Sequence, residues 1–397
     1  MRTPIWMESS PKRFRPRRAE TVEAGGGDEQ DRRYLSACFD LALLGEGETS
    51  PNPMVGALLV KEGRILGQGY HRRAGDPHAE VEALAAAGPA ARGGTLYVNL
   101  EPCVHHGRTP PCADALIRAG VSEVVACMTD PDPRVNGGGF RKLREMGVQV
   151  RTGILEREAR RFNERFIKFV TRGVPFVLLK AAMTLDGRIA AASGESRWIS
   201  SPESRQEAQR LRYRSDAILV GINTAVADDP LLTARHQSGK ALVRVVLDSR
   251  LRLPPSARLL SNADGGKTVI YALEGAPASA RQRLERLPGV EVVEVDGAPG
   301  ALSWSAILSD LARRQVGSVL VEGGGRVLGS ALACRAGDRI ALFIAPRILG
   351  EGGTPMADGL RVGKLEESLP IHDWSWKAVG PDLLVEGYLK PPAEIVG

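Results

Sequence analysis

Apolar and polar positions follow two rhythms along this chain. VGALLV (55 to 60), TLYVNL (95 to 100), VSEVVACM (121 to 128) and VQVRTG (148 to 153) are short apolar runs closed by turn residues, and they predict strands. YLSACFDLALLGEG, HAEVEALAAAG, CADALIRAG and FRKLREMG repeat their apolar residues every three or four positions, which predicts helices between those strands. ILGQGYH, one KEGR turn after VGALLV, completes a hairpin, and LEREARRFNERFIKFVTRG (155 to 173) reads as one long amphipathic helix. Gly173, Val174 and Pro175 mark a boundary. A second series runs through PFVLLKAAM, DAILVG, ALVRVVLDS, KTVIYAL, VEVVEV, GSVLVEGGG, DRIALFIAP and DLLVEGYL, with helical SPESRQEAQRLRYR and RVLGSALACR between some of them. Strand and helix alternation in both halves predicts an α/β protein, and no internal repeat is evident.

The pattern predicts a disordered tail over 1–30, one domain over 31–174 and another over 175–397. At 397 residues the chain can bury a core in each. Net charge is +6, and Met1 to Arg18 carries six Lys/Arg against one acid, so the body is nearly neutral. That balance argues against a nucleic-acid surface on the body. The tail reads either as an Arg-rich transit segment or as an extended start, and its acids argue against the former. No apolar run reaches the roughly 18 residues of a membrane span. Five scattered cysteines form no disulfide framework, which points to a reducing, cytoplasmic setting. Cys38, Cys127 and Cys334 sit in apolar runs and read as small buried hydrophobes.

Cys103 and Cys112 keep polar company, in EPCVHHGRTPPC. His78 opens a predicted helix, Cys103 follows a strand and Cys112 opens another helix. Three such ligands leave a fourth zinc position for water, as a catalytic site needs. Partial positive charge at a helix start favours thiolates, so Cys112 is expected to ionise readily, and Cys103 too if its loop is helical. Glu80, two residues after His78, is placed to carry protons. H-x-E followed by P-C and a second cysteine is the signature of zinc-dependent base deaminases, although eight residues separate the cysteines here where most have two. The alternatives are a structural zinc clip, with His105 or His106 as fourth ligand, or a pair of buried thiols.

SPNPMVG (50 to 56), YHRRAGDPHAEVEAL (70 to 84) and EPCVHHGRTPPC together resemble the deaminase half of the bifunctional riboflavin-biosynthesis deaminase/reductase family. Val104 departs from the small polar residue usual there. The resemblance implies a cytidine-deaminase-like mixed-sheet domain, zinc on His78, Cys103 and Cys112, and Glu80 as proton shuttle. It also implies substrate contacts for Asn52, His71, His105 and Arg108; without it, Asn52 is a turn residue between prolines.

LKAAMTLDGRIAAASGESRWIS (179 to 200) and VGINTAVADDPLLTAR (220 to 235) resemble the reductase half of the same family, whose fold is similar to dihydrofolate reductase. GSVLVEGGGRVLGSAL reads as strand, glycine turn, helix, a diphosphate cradle without the Rossmann glycine spacing. The resemblance implies NADPH contacts at Ala182, Trp198, Thr224, Asp228, Ser249 and Gly324, Gly325, Arg326, Val327, Leu328, Gly329 and Ser330. It implies substrate contacts at Ser196, Arg212, Leu232, Arg235 and Glu322. Arg212 and Arg235 suit a sugar phosphate, with solvated surface charge as the alternative. Ser249 and Arg250 suit the 2′-phosphate of NADPH, or else form an exposed turn. Lys180, inside an apolar run, needs a task or a partner, and contact with the ribose and help with its protonation are expected of it.

The expected activity is zinc-dependent hydrolysis of the 2-amino group of 2,5-diamino-6-(5-phosphoribosylamino)pyrimidin-4-one, then NADPH reduction of the ribosyl group of the aminouracil product to ribityl. The expected partner is that small-molecule pyrimidine ribotide, with no nucleic acid, no membrane, and a second copy of the chain in a homo-oligomer. Two rivals remain: a nucleic-acid-editing deaminase with a basic tail, and a structural zinc module joined to a reductase.

Overall fold

The computed structural model describes residues 27–105, 110–234, 240–261, 265–298 and 301–397, and the chain divides into two compact units, Met1–Thr171 and Arg172–Gly397. Most of the expected tail lies outside the described residues. Its last four positions do not, because helix α1 (Gly27–Ala42) begins at Gly27.

In the first unit α1 is followed by β1 (Gly56–Lys61), β2 (Arg64–Tyr70), α2 (Ala79–Ala87), β3 (Thr95–Val98), α3 (Cys112–Ala119), β4 (Glu123–Ala126), α4 (Gly138–Glu145) and β5 (Gln149–Thr152). The sheet order is β2-β1-β3-β4-β5. β1 runs antiparallel to β2 and β3, while β3, β4 and β5 are parallel, so the sheet is mixed. The parallel part puts the ends of β3 and β4 and the loops that follow them on one edge, where ligands of open α/β sheets bind.

The expected long helix over 155–173 is two helices, α5 (Glu156–Phe162) and α6 (Glu164–Arg172). They break at Asn163, whose Oδ1 accepts from the Met54 backbone N–H at 2.9 Å while its Nδ2 donates to the Met54 carbonyl at 3.0 Å. A side chain engaged by a distant backbone segment overrides the local periodicity.

The second unit holds β6 (Phe176–Thr184), β7 (Arg188–Ala190), α7 (Pro202–Tyr213), β8 (Ala217–Gly221), α8 (Ile222–Asp228), β9 (Val243–Leu247), β10 (Thr268–Leu273), α9 (Ala278–Glu285) and β11 (Val290–Val295). It continues through β12 (Gly297–Ala298), β13 (Ala301–Leu302), α10 (Trp304–Arg313), β14 (Ser318–Val321), α11 (Gly325–Ala333), β15 (Arg339–Ala345), β16 (Thr354–Pro355), β17 (His372–Val379), β18 (Asp382–Tyr388) and α12 (Pro392–Val396). Nine strands form one sheet in the order β11-β10-β9-β8-β14-β6-β15-β18-β17. The seven from β11 to β15 are parallel, and β18 and β17 close the sheet antiparallel.

Alternate residues of the central strands enter separate cores. Leu219, Val245, Tyr271 and Val319 pack with Trp304 and Leu311 of α10 and Leu328 of α11, while Ile218, Val220, Val246 and Ile270 pack with Leu284 of α9 and Ala225 of α8. Burial on both faces is why these strands read as unbroken apolar runs. The chain direction along the sheet reverses around β14, which lies between β8 and β6, and the carboxyl ends of these strands make the crevice such sheets use for ligands.

Candidate active sites

In the first unit His78 is the N-cap of α2, Cys103 lies in the loop after β3, and Cys112 is the first residue of α3. Their ligand atoms all lie within 4.8 Å of one another. His78 Nδ1 faces both sulfurs, 3.2 Å from Cys112 Sγ and 3.5 Å from Cys103 Sγ. Nδ1 is therefore the nitrogen that the fold offers to a metal. One imidazole and two thiols converging at this distance fit zinc by donor type and by number.

The two cysteines differ from expectation. The Cys103 loop is not helical, yet its Sγ accepts the Cys112 backbone N–H at 3.4 Å, at the start of α3. A hydrogen bond from Cys112, and then His78, pulls the Cys103 thiol well below its ordinary value. Cys112 goes the other way, raised first by its hydrogen bond to Cys103 and then by burial. Before metal enters, the more anionic sulfur is the one served by the helix start, and it belongs to the preceding loop.

Glu80 lies in the first turn of α2 and is only 3 % exposed. Burial raises its pKa, partly offset by His78, which suits a carboxyl that must both take and give a proton. His71 is 2 % exposed and its ring stands edge-on to that of His78. Its Nδ1 lies 3.2 Å from the Pro77 carbonyl and so carries the proton; its Nε2 therefore accepts from Asn52 Nδ2 at 3.1 Å. Burial lowers the His71 pKa and keeps this ring neutral. Asn52 is thus held against His71, beside the metal ligand. His105 Nδ1 is buried with no hydrogen-bond partner among the described residues, and His105 is not in the ligand cluster. His106 and Arg108 lie outside the described residues.

Glu101 escaped the sequence reading. Its carboxylate accepts from the backbone N–H groups of Asp130, Gly137 and Phe140 at 3.0 to 3.1 Å, which folds the 130–139 loop back and packs Val135 against Cys103 and Cys112. The only available signal was its place immediately before the Pro-Cys pair.

In the second unit Glu322 follows β14 directly. Arg212 of α7 grips it with Nε at 2.8 Å and Nη2 at 2.6 Å, and donates from Nη1 to the Thr233 carbonyl at 3.2 Å. The fork expected to take a sugar phosphate is therefore engaged by a carboxylate, leaving one N–H on each terminal nitrogen. Burial opposes the charge of Glu322, but Arg212 and then Lys180 outweigh it and hold the carboxyl down at about 2. Lys180 of β6 is lowered by burial, with Glu322 opposing that shift and Arg212 adding to it. The lysine stands over the Phe343 ring, 5.7 Å from its centre, and feels the Glu322 charge without a direct hydrogen bond among the described residues.

Glycine is favoured in the turn at Gly323, where φ is +101°, and Gly324 lets Thr224 approach, since a Cβ there would stand 3.0 Å from Thr224 Oγ1. Gly324, Gly325, Arg326 and Val327 make the start of α11, whose first N–H groups suit a diphosphate, so the cradle fits a dinucleotide. Leu328, Gly329 and Ser330 stand behind it. Leu328 is in the core, Gly329 abuts the Asp358 backbone, and Ser330 Oγ accepts from Trp304 Nε1 at 3.1 Å. Trp198 is exposed under the Arg205 guanidinium, 4.5 Å from its ring centre. Ser196 Oγ donates to Asp228 Oδ1 at 3.4 Å, tying two expected contacts together. Ala182 pairs with Phe343 across β6 and β15, and Ser249 follows Asp248 in the turn after β9. Leu232 has a left-handed backbone (φ +53°) and a buried side chain, so any ligand contact it makes is through its backbone. Arg235 lies outside the described residues.

Comparison with known proteins supports both halves. Residues 28–128 match the family model described as "Cytidine and deoxycytidylate deaminase zinc-binding region", and residues 175–385 match "RibD C-terminal domain". The chain is 44% identical over 358 residues to the riboflavin biosynthesis protein RibD of Aquifex aeolicus, covering 90% of this chain and 98% of that protein. It is 39% identical over 367 residues to RibD of Escherichia coli, covering 89% and 98%. Acinetobacter baumannii RibD superposes with a TM-score of 0.82 at 35% identity, over 91% of this chain and 99% of that one. A deaminase/reductase from Thermotoga maritima superposes at 0.80 with 35% identity, again over 91% and 99%. The expected α/β fold, a cytidine-deaminase-like domain followed by a dihydrofolate-reductase-like one, is borne out, as are zinc and NADPH as cofactors. The editing and structural-zinc rivals give way to one conclusion: this chain belongs to the RibD family, the bifunctional deaminase/reductases of riboflavin biosynthesis.

Proposed function

We propose that the first domain hydrolyses the 2-amino group of 2,5-diamino-6-(5-phosphoribosylamino)pyrimidin-4-one and the second reduces the ribosyl group of the resulting aminouracil ribotide. The domains are assigned to residues through 174 and from 175 onward, close to the division of the chain between Thr171 and Arg172. The observation that carries the reading is the convergence of His78 Nδ1, Cys103 Sγ and Cys112 Sγ with buried Glu80 in the same helix turn as His78.

Bound to those three atoms, zinc supplies the Lewis acidity that makes a water acidic near neutral pH. Glu80 takes the proton of that water at its carboxylate as the oxygen bonds to C2. It delivers that proton to the ring nitrogen, then takes the remaining proton of the C2 hydroxyl and passes it to the amine, so that the C2–N bond breaks, ammonia leaves and the oxygen stays as the C2 carbonyl. Asn52 and His71, locked together, orient the pyrimidine, and the unpartnered Nδ1 of His105 offers a further hydrogen bond.

NADPH supplies the hydride for C1 of the opened ribosyl group. Lys180 Nζ provides the matching proton, and the charge of Glu322, which Arg212 holds, favours the protonated form of that lysine. Thr224, Asp228, Ser196, Trp198 and the turn at Gly324 hold the nucleotide and substrate around it.

Among the described residues no helix is long and apolar enough to cross a membrane, and all five cysteines are free. Both facts support a cytoplasmic enzyme acting on a small molecule. The same reading makes it a homo-oligomer, as edge strand β17 carries exposed Trp374 and Trp376.

Ammonia release and NADPH oxidation, followed together on the zinc-loaded protein, test the assignment. Glu80→Gln is expected to lower ammonia release at least 100-fold and to leave reduction of the pre-deaminated uracil ribotide unchanged. Ammonia release at the wild-type rate would remove Glu80 from the mechanism.

A further inference from the structure

The carboxyl ends of β14, β8 and β9 lie side by side. The glycine turn follows β14, Asn223 and Thr224 follow β8, and Ser249 to Arg252 follow β9. Neighbouring strands are about 4.8 Å apart, so β14 and β9 are separated by roughly 10 Å. That gap can be bridged by the adenosine ribose with its 2′-phosphate together with the long side chain of an arginine reaching toward it.

The turn after β9 is built rather than loose. Asp248 is fully buried; its Oδ2 accepts the Leu253 N–H at 2.8 Å and its carbonyl accepts the Leu251 N–H at 3.1 Å. Leu251, left-handed at φ +52°, turns its side chain into the core and leaves Arg250 and Arg252 exposed on either side. Arg252 differs from Arg250 in having an anchor. Its Nη2 donates to Asn223 Oδ1 at 3.0 Å, in the first turn of α8, next to the Thr224 that touches the glycine turn. Asn223 is neutral, and among the described residues Arg252 forms no ion pair. The guanidinium is therefore oriented without being neutralised, and four of its five N–H donors are left for an anion.

We infer that Arg252, positioned by Asn223, is the residue that reads the 2′-phosphate and so makes this reductase prefer NADPH over NADH. Arg250, which the sequence pattern favours, has no such anchor among the described contacts. The inference rests on the reading of this sheet edge as the nucleotide site.

Calorimetric titration of the zinc-loaded full chain with adenosine 2′,5′-bisphosphate and with adenosine 5′-monophosphate separates the two readings. Wild type is expected to bind the bisphosphate at least tenfold more tightly than the monophosphate. Arg252→Ala should cut that ratio by about tenfold or more, as loss of a charge-assisted contact does, with monophosphate affinity unchanged. Arg252→Lys, which keeps the charge but loses the fork, should fall between them, and Asn223→Ala should lower the ratio by a smaller factor. A wild-type ratio in Arg252→Ala, or its loss in Arg250→Ala alone, would overturn the inference. Failure of wild type to bind either adenosine nucleotide or NADP⁺ would instead overturn the nucleotide-site reading beneath it.

Discussion

At the residue scale, the two sites handle buried charge differently. In the deaminase site one imidazole and two sulfurs are brought together for a cation, and Glu80 is kept nearby in a buried position that raises its pKa. In the reductase site the charges balance one another: Glu322 is flanked by Arg212 and Lys180. Its carboxyl is lowered from an ordinary 4.5 to about 2, which corresponds to roughly 3 kcal/mol of pH-linked stability. Since the folded value lies below the unfolded one, that contribution is complete above about pH 4.5 and drains away as the pH falls toward 2. Glu322→Gln should therefore be less stable than wild type by about 3 kcal/mol at pH 7, and the gap should close below pH 4.5. Urea midpoints of both proteins between pH 7 and 3 measure it; a gap independent of pH would mean that the ion pair adds nothing. The candidate ligand residues were legible in the sequence because H-x-E, a Pro-Cys pair after a strand and a second cysteine opening a helix occur together in that order, although each alone is a weak signal. The pairing of Arg212 with Glu322, 110 positions apart, was not, and it engages part of the fork expected for a sugar phosphate while leaving one N–H on each terminal nitrogen.

At the element scale, the pattern of apolar runs located most strands, and the corrections concern where elements stop. Nothing in LEREARRFNERFIKFVTRG breaks a helical rhythm, so the division at Asn163 could not be seen from composition or period. It arises because the Asn163 amide bonds both backbone groups of Met54, 109 positions earlier. Those bonds also fix the segment carrying Asn52, two residues away, and so connect the helix break to the Asn52–His71 pair beside His78. Asn163→Ala should cost about 1 kcal/mol, since it takes the side-chain acceptor from the part-buried Met54 N–H while the Met54 carbonyl still accepts from Asn99 Nδ2 at 2.9 Å, and should raise KM for the diaminopyrimidine more than it lowers kcat. Thermal unfolding and steady-state ammonia release would show it. An unchanged Tm would mean that the clamp is replaced by water. The Glu101 carboxylate does comparable work on the other side, holding the 130–139 loop that backs Cys103 and Cys112.

At the scale of the whole molecule, the chain pairs a mixed five-stranded sheet with a nine-stranded sheet, and each places its chemistry at strand ends. The nine-stranded sheet ends in β17, where Trp374 and Trp376 are 60 % and 63 % exposed. Large aromatics on an unpaired edge favour covering by a second copy, so sedimentation velocity at micromolar concentration should give a homo-oligomer; a single species of monomer mass would overturn that part of the proposal. The sequence by itself determined the α/β class and the family, and it singled out His78, Cys103 and Cys112, with Glu80 nearby, as the candidate metal cluster that the fold brings together, because each rests on residue types and motif spacing. Only the tertiary structure decided that Nδ1 of His78 meets the sulfurs, that Cys103 is the sulfur served by the α3 start, and that Arg212 holds Glu322. It also put Arg252, not its neighbour Arg250, in contact with the first turn of α8. Apart from the hydrogen bond between Cys103 and Cys112, nine positions apart, these are contacts between segments far apart in the chain, fixed by strand order and helix packing, and no local pattern encodes them.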